Sequence, residues 1–263
     1  MSTLSYTVAD SATMLRRNLK HMLRYLSMSL QLIGMPVLLL LLFVYVFGGT
    51  LGSGLGGATG GRAAYIQYLT PGILLLTVGT AAQGTAISVA MDMTEGIIAR
   101  FRTMAISRAS VLTGHVLANM IQTMLSLALL IGVALLIGFR PTATPMEWLA
   151  TAGVLALAAF ALTWLTVALG MVTKTVEAAS NLPMPLMFLP FLGSGFVPTD
   201  SMPTALRWFA EYQPFTPIIE TVRGLLLGTA IGSSAMIAIA WCAGIALVGY
   251  LWALKLYNRD PMK

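Results

Sequence analysis

The stretch NLPMPLMFLPFLGSGFVPTDSMPTALRWFAEYQPFTPIIETVRGLLLG, Asn181 to Gly228, starts and finishes apolar, but its middle is polar, aromatic and dense in proline. Seven of the twelve prolines of the chain lie between Pro183 and Pro217. Proline removes a backbone donor and clashes with the preceding helical turn. Irregular backbone at membrane depth survives only where protein or water shields it. The reading of this stretch therefore depends on what surrounds it.

What surrounds it is apolar. Of 263 residues, 57% are hydrophobic and only 9% are charged, too few to cover a water-facing surface. The charges are clustered, leaving charge-free stretches from Tyr25 to Gly61, Ala63 to Met91, Ala109 to Phe139, Trp148 to Thr173, Ala178 to Thr199 and Gly224 to Leu254. Each is long enough for a helix of roughly 20 residues, the length that crosses a hydrocarbon core. Six spans are expected, about Ser29–Phe47, Tyr68–Ala90, Val111–Phe139, Trp148–Val172, Asn181–Val197 and Gly232–Leu254.

Basic residues in short loops are retained on the cytoplasmic side. With both ends inside, Arg16, Arg17, Lys20, Arg24, Arg100, Arg102, Arg108, Lys174, Lys255, Arg259 and Lys263 are cytoplasmic, leaving Arg62, Arg140, Arg207 and Arg223 outside. That is eleven against four, and the opposite orientation inverts the usual bias. The net charge of +6 is thus a topology signal and an attraction to anionic lipid rather than a mark of nucleic-acid binding. The single cysteine, Cys242, excludes an intrachain disulfide and a cysteine metal cluster.

Before the first span, Met14, Leu15, Leu19, Met22, Leu23 and Leu26 share one side of a helical wheel, with Arg16, Arg17, Lys20, His21 and Arg24 on the other. This predicts a basic amphipathic helix on the cytoplasmic leaflet. Eight glycines between Gly48 and Gly61 predict a flexible outer loop. In the loop MDMTEGIIARFRTMAISRAS (91–110), Asp92 and Glu95 precede the apolar side Ile97, Ile98, Phe101, Met104 and Ala105. Such a short cytoplasmic helix must bury that side against headgroups or a docked protein.

Within the spans, Gln83, His115, Asn119, Gln122 and Asn181 are polar and need partners in hydrocarbon. His115, Asn119 and Gln122 follow i, i+4, i+7 spacing, which suits either interhelical hydrogen bonding or a substrate path; Gln83, Asn119, Gln122 and Asn181 are the candidate path residues. Every carboxylate lies in a loop, at a span edge or in an irregular stretch, which disfavours an ion-coupled carrier. In the opening stretch, Ala205–Tyr212 has room for a turn or two of helix with Arg207 and Glu211 at i, i+4. A second short helix fits Pro217–Leu227, with Glu220 and Arg223 at i, i+3.

Two of these segments carry a family likeness. TEGIIARFRTMAISR, an acid and glycine followed by a basic amphipathic helix, and the stretch from Asn181 to Gly228 resemble the permease subunits of type 2 ABC exporters, within them the daunorubicin-resistance permease group. The resemblance covers nearly the whole chain. It departs at Ala105, where many relatives carry proline, and at Gln213, where the common form has asparagine before Pro214.

The resemblance implies an all-α polytopic membrane protein with six transmembrane helices, an N-terminal amphipathic helix and short re-entrant outer helices between spans 5 and 6. The domain is one permease unit over residues 1–263, with a cytoplasmic segment at 1–27, a coupling loop at 91–110 and an outer re-entrant region at 198–231. It also implies a separate ATP-binding-cassette ATPase as partner, and a second permease copy or paralogue. ATPase coupling maps to Glu95, Gly96, Ile98, Phe101 and Arg102, with Arg16 and Arg17 on a second contact. The outer cap maps to Pro198, Pro203, Trp208, Phe209, Pro214, Phe215 and Pro217.

None of Lys20, Lys174, Lys255 or Lys263 follows a glycine, so the chain has no P-loop. No cofactor is expected on this chain; ATP and Mg belong to the partner. The expected function is export of a hydrophobic or amphipathic compound, drug or lipid-like, across the plasma membrane, with no covalent chemistry. The alternatives are a membrane-embedded lipid-modifying transferase, which lacks clustered ligands or a nucleophile-base pair, and the ion-coupled carrier.

Overall fold

The computed structural model describes residues 26–56, 61–96 and 108–258. The predicted N-terminal amphipathic helix, with Arg16 and Arg17, and most of the coupling loop, with Ile98, Phe101 and Arg102, lie outside the described residues. Among the described residues the chain is helical, with no strand, and five segments are long and apolar enough to cross a membrane: Ile33–Gly54, Arg62–Thr94, Leu112–Leu136, Pro145–Val172 and Ser234–Tyr257. This is a multi-pass, all-α membrane protein.

The first segment is longer than expected. Helix α1 (Leu26–Leu42) continues through a π-helical turn (Phe43–Phe47) into α2 (Gly48–Gly56). The glycine-rich stretch predicted as a flexible loop is therefore helical as far as Gly56. Glycine weakens a helix by only about 1 kcal/mol per residue, and here it permits close packing. A Cβ on Gly52 would stand 2.1 Å from the Gly61 carbonyl oxygen, and one on Gly48 3.3 Å from the Arg62 side chain.

Helix α3 (Arg62–Thr94) is the centre of the molecule, with Leu69, Ile73, Leu74 and Val78 wholly buried. It runs through Pro71 without interruption and stops at Gly96. There φ is +70°, a left-handed conformation that glycine adopts without a Cβ penalty, and the amides of Glu95 and Gly96 donate to Met91 O and Met93 O. Helix α4 (Arg108–Leu136) returns, and α5 (Pro145–Val172) starts from a capping box. Thr144 accepts from the Glu147 amide while the Glu147 carboxylate accepts from the Thr144 amide at 2.6 Å.

Helix α10 (Ser234–Tyr257) packs along α5. Lipid offers no hydrophobic drive between helices, so small residues that let backbones approach are the main attractive device. Gly249 meets the backbone of Trp164 and Leu165, and Gly170 meets Ala86.

The fifth crossing differs from the reading as one span over Asn181–Val197. It is broken into α6 (Val176–Asn181), α7 (Met184–Phe188) and a run of turns to Phe196. Pro183, Pro185 and Pro190 prevent a continuous ladder. Two further short helices follow, α8 (Thr204–Tyr212) and α9 (Phe215–Leu227), within a residue or two of the bounds expected from the spacing of their charges.

Candidate functional site

The broken segment climbs α3 in the opposite direction, through four contacts. The Gln83 amide donates to Ser180 O, the Leu186 carbonyl faces Gly79, the Gly195 backbone lies against Gly72, and the Tyr65 hydroxyl donates to Phe196 O at 3.3 Å. From Gln83 to Tyr65 α3 rises about 27 Å, close to the ~30 Å thickness of a hydrocarbon core. The irregular backbone is thus backed by α3 at points spread along its course, while Leu182, Met184, Phe188 and Leu192 on the segment are exposed. At Gly72 the approach is closest: a Cβ there would be 2.3 Å from Gly195 O.

Near the top of this climb Phe43, in the π turn, packs against Phe196 with ring centroids 5.0 Å apart, and Phe191 stacks on Phe196 at 4.0 Å. A π turn inserts an extra residue into the helix and re-aims the side chains after it.

Helix α9 packs at the end of the bundle at which α3 begins, away from Thr94, and α8 packs on α9. Their roles differ. Ten residues of α9 are buried, whereas α8 buries only Ala210. Phe215 and Ile218 of α9, with Pro214 just before it, line a small apolar gap with Ala158, Ala161 and Leu162 of α5 and Cys242 and Ile245 of α10. At its far end the Leu226 carbonyl accepts from the Thr142 amide at 2.9 Å. The cap is therefore attached through α9.

Gln213, just before α9, is buried and holds the turn. Its amide nitrogen donates to Leu189 O at 3.0 Å and lies 3.2 Å from Thr216 Oγ1, while its carbonyl oxygen accepts from the Phe215 amide at 3.2 Å. Arg223 is also buried. One guanidinium nitrogen donates to Glu220, the other to Tyr68 O at 3.1 Å and Ser194 O at 2.7 Å, and the charge lies 3.9 Å from the Tyr68 ring centroid.

On α8 the expected pair of Arg207 with Glu211 forms at 2.7 Å, joined by Asp200 at 2.7 Å. The Glu211 hydrogen bond and the Asp200 charge raise the pKa of Arg207 above its ordinary value. These groups are exposed, so the pairs add little stability.

The sequence-predicted cap residues divide along the same line. Phe215 and Pro217 are buried in α9, Pro198 and Pro214 are half-buried, and Pro203, Trp208 and Phe209 are exposed. Trp208 pairs with Tyr212 at 5.3 Å between ring centroids. The candidate path residues do not gather at one point. Gln83 reaches the carbonyl beside Asn181, which is itself exposed, whereas Asn119 is buried and donates to Thr163 Oγ1 at 2.7 Å; Gln122 is half-buried.

At the loop end, Glu95 is exposed and Gly96 ends α3. His115 and Asp92, both buried, meet at 3.1 Å and join the two stems of the loop. Sequence reasoning missed Tyr65, Tyr68 and Ser194 altogether. The glycines of LGSGF were the available signal, since a glycine pair flanking a serine permits close backbone approach.

Among the described residues the chain is a multi-pass helical bundle with one broken segment and two short helices at the end where α3 begins. The chain belongs to the ABC-2 type transporter family, whose pattern it matches over residues 11–227. It is 27% identical over 226 residues to a daunorubicin resistance ABC transporter permease protein, DrrB1, of Streptomyces coeruleorubidus, covering 86% of this chain and 77% of that one. It is 28% identical over 198 residues to a probable doxorubicin resistance ABC transporter permease protein, DrrC, of Mycobacterium tuberculosis, covering 72% and 71% respectively.

Proposed function

We propose that this chain is the permease subunit of an ABC exporter that moves an amphipathic, drug-like compound outward across the plasma membrane, driven by ATP hydrolysis on a separate subunit. The observation that carries the reading is the layout of α3. One end leads directly into the basic loop, and the other holds the broken crossing through Tyr65 and the cap through Tyr68.

Residues 91–110 are the coupling loop: Glu95 and Gly96 start it, and Ile98, Phe101 and Arg102 supply its apolar and basic surface. Arg16 and Arg17 extend the contact from the N-terminal segment, residues 1–27. Residues 198–231 are the outer cap, and both termini are cytoplasmic. A second permease copy or paralogue completes the path. The names of the two relatives point to daunorubicin and doxorubicin as the first compounds to try, with lipid-like compounds second.

The test is co-purification with candidate ABC ATPase subunits, followed by transport into inverted vesicles. Retained ATPase and ATP-dependent uptake are expected, and Glu95→Ala or Phe101→Asp should lower both while leaving membrane insertion intact. Unchanged uptake in both variants would sink the coupling assignment, and failure to retain any ATPase would sink the whole reading.

A further inference from the structure

Arg223 is a cation more than nine-tenths buried at the cap end, and only one of its partners, Glu220, carries charge. Such a group is costly to bury and is kept where its hydrogen bonds are specific. Its partners come from three parts of the chain: Glu220 on its own helix, the Tyr68 carbonyl and ring on α3, and the Ser194 carbonyl in the GSG turn of the broken crossing. A planar fork reaches two carbonyls and a ring face at once, which an ammonium group does not. The contact is not saturated, since Arg223 Nε and Ser194 Oγ are both buried without a hydrogen-bond partner. Unpaired buried donors cost free energy in this arrangement, so the clamp is built to be released and remade at less cost than a fully satisfied one.

We infer that Arg223 is the positioning residue through which movement of α3 reaches the cap. This rests on the export reading for its consequence, but the anchorage itself is independent of it. Displacing α3 along its axis pulls the Tyr68 carbonyl from the guanidinium, and α9 must either follow or let go. Because α8 buries only Ala210, it moves with α9 and carries the exposed Trp208 and Tyr212 with it.

The experiment uses the full chain in nanodiscs, alone and with its ATPase, comparing wild type with R223Q, R223K and E220Q. Hydrogen exchange reads anchorage: R223Q should speed exchange of amides 193–196, 215–216 and 218–227 by about tenfold, the net worth of about one hydrogen bond, while α5 amides stay unchanged. Molecules transported per ATP hydrolysed read the coupling. R223Q should lower that ratio by about tenfold at an unchanged KM for ATP, R223K should recover part of it, and E220Q, which removes the one charged partner but leaves both carbonyl contacts, should fall between R223Q and wild type.

A ratio that stays at the wild-type value while the yield of folded protein falls makes Arg223 a structural pin and overturns the proposal. So does an R223Q whose cap amides exchange like wild type. If no compound is transported by the wild type, the export reading fails, and the exchange arm still decides whether Arg223 ties the cap to α3.

Discussion

Replacing Gly72 by alanine tests the packing of the broken crossing against α3 with a single methyl group. At Gly72 the added carbon would lie 2.3 Å from Gly195 O and 2.7 Å from both the carbonyl carbon and the Cα of Gly195. These are backbone atoms on a segment already tied at Tyr65, Gln83 and Arg223, so no side chain can swing away to make room. Overpacking of this kind costs about 1–3 kcal/mol, and backbone on both sides puts Gly72→Ala at the upper end. Against that, alanine gains about 1 kcal/mol of helix propensity over glycine.

The net expectation is a loss of about 2 kcal/mol. Gly79, seven residues along the same helix, is the control: its nearest contact is Leu186 O at 3.9 Å, an ordinary van der Waals distance. There the propensity gain stands alone, and Gly79→Ala should be neutral or more stable by up to about 1 kcal/mol. The assay is built into the chain. Cys242 is its single cysteine and is buried, so a thiol-reactive dye reports thermal unfolding without an added label. Gly72→Ala unfolding at or above the wild-type temperature would refute the close approach on which the geometry of the crossing rests.

Two further outcomes are expected. Gln213→Asn keeps an oxygen for the Phe215 amide but is one methylene short of Leu189 O; a loss of about 1 kcal/mol in the same dye assay is expected, and no change would show that the Leu189 contact contributes nothing. With Cys242 replaced by serine, a cysteine at Gly57 should react with an impermeant maleimide from outside and one at Ser107 only from inside, and the reverse pattern would overturn the orientation drawn from the basic residues.

Much of the architecture is legible in the sequence because lipid imposes a simple rule: charges at the ends, apolar residues between. The two short cap helices are legible too, since Arg207 with Glu211 and Glu220 with Arg223 each sit one helical turn apart. What is hidden is non-local. The spacing of Glu220 and Arg223 gives their pairing but cannot show that Tyr68, 155 positions away, and Ser194, 29 away, also hold the guanidinium. Composition also misleads at Gly48–Gly56, where glycines that would be flexible in water instead let a helix end pack against Gly61 and Arg62. The fifth crossing has the length and polarity of a span, and hydropathy does not register that Pro183, Pro185 and Pro190 break its ladder. The contact of Gln213 with Leu189 O, 24 positions away, is equally unreadable from spacing.

The length of α3 ties the two ends of the molecule together. Its 33 residues make a rod about 50 Å long, and the part flanked by the broken crossing, Tyr65 to Gln83, accounts for about 27 Å of it, nearly a whole hydrocarbon core. The remaining turns lie mostly on the side of Thr94, where α3 continues for about 16 Å beyond Gln83. Asp92 lies in that overhang, buried against His115 of α4, so the ends of α3 and α4 are joined there. Joined in this way, the two helix ends would move together rather than bend singly under the proposed push from an ATPase. With α3 unbroken through Pro71, the proposed push would reach Tyr68 along one continuous helix, which is why the contact between Tyr68 and Arg223 matters more to the proposed cycle than any group on the exposed face of α8.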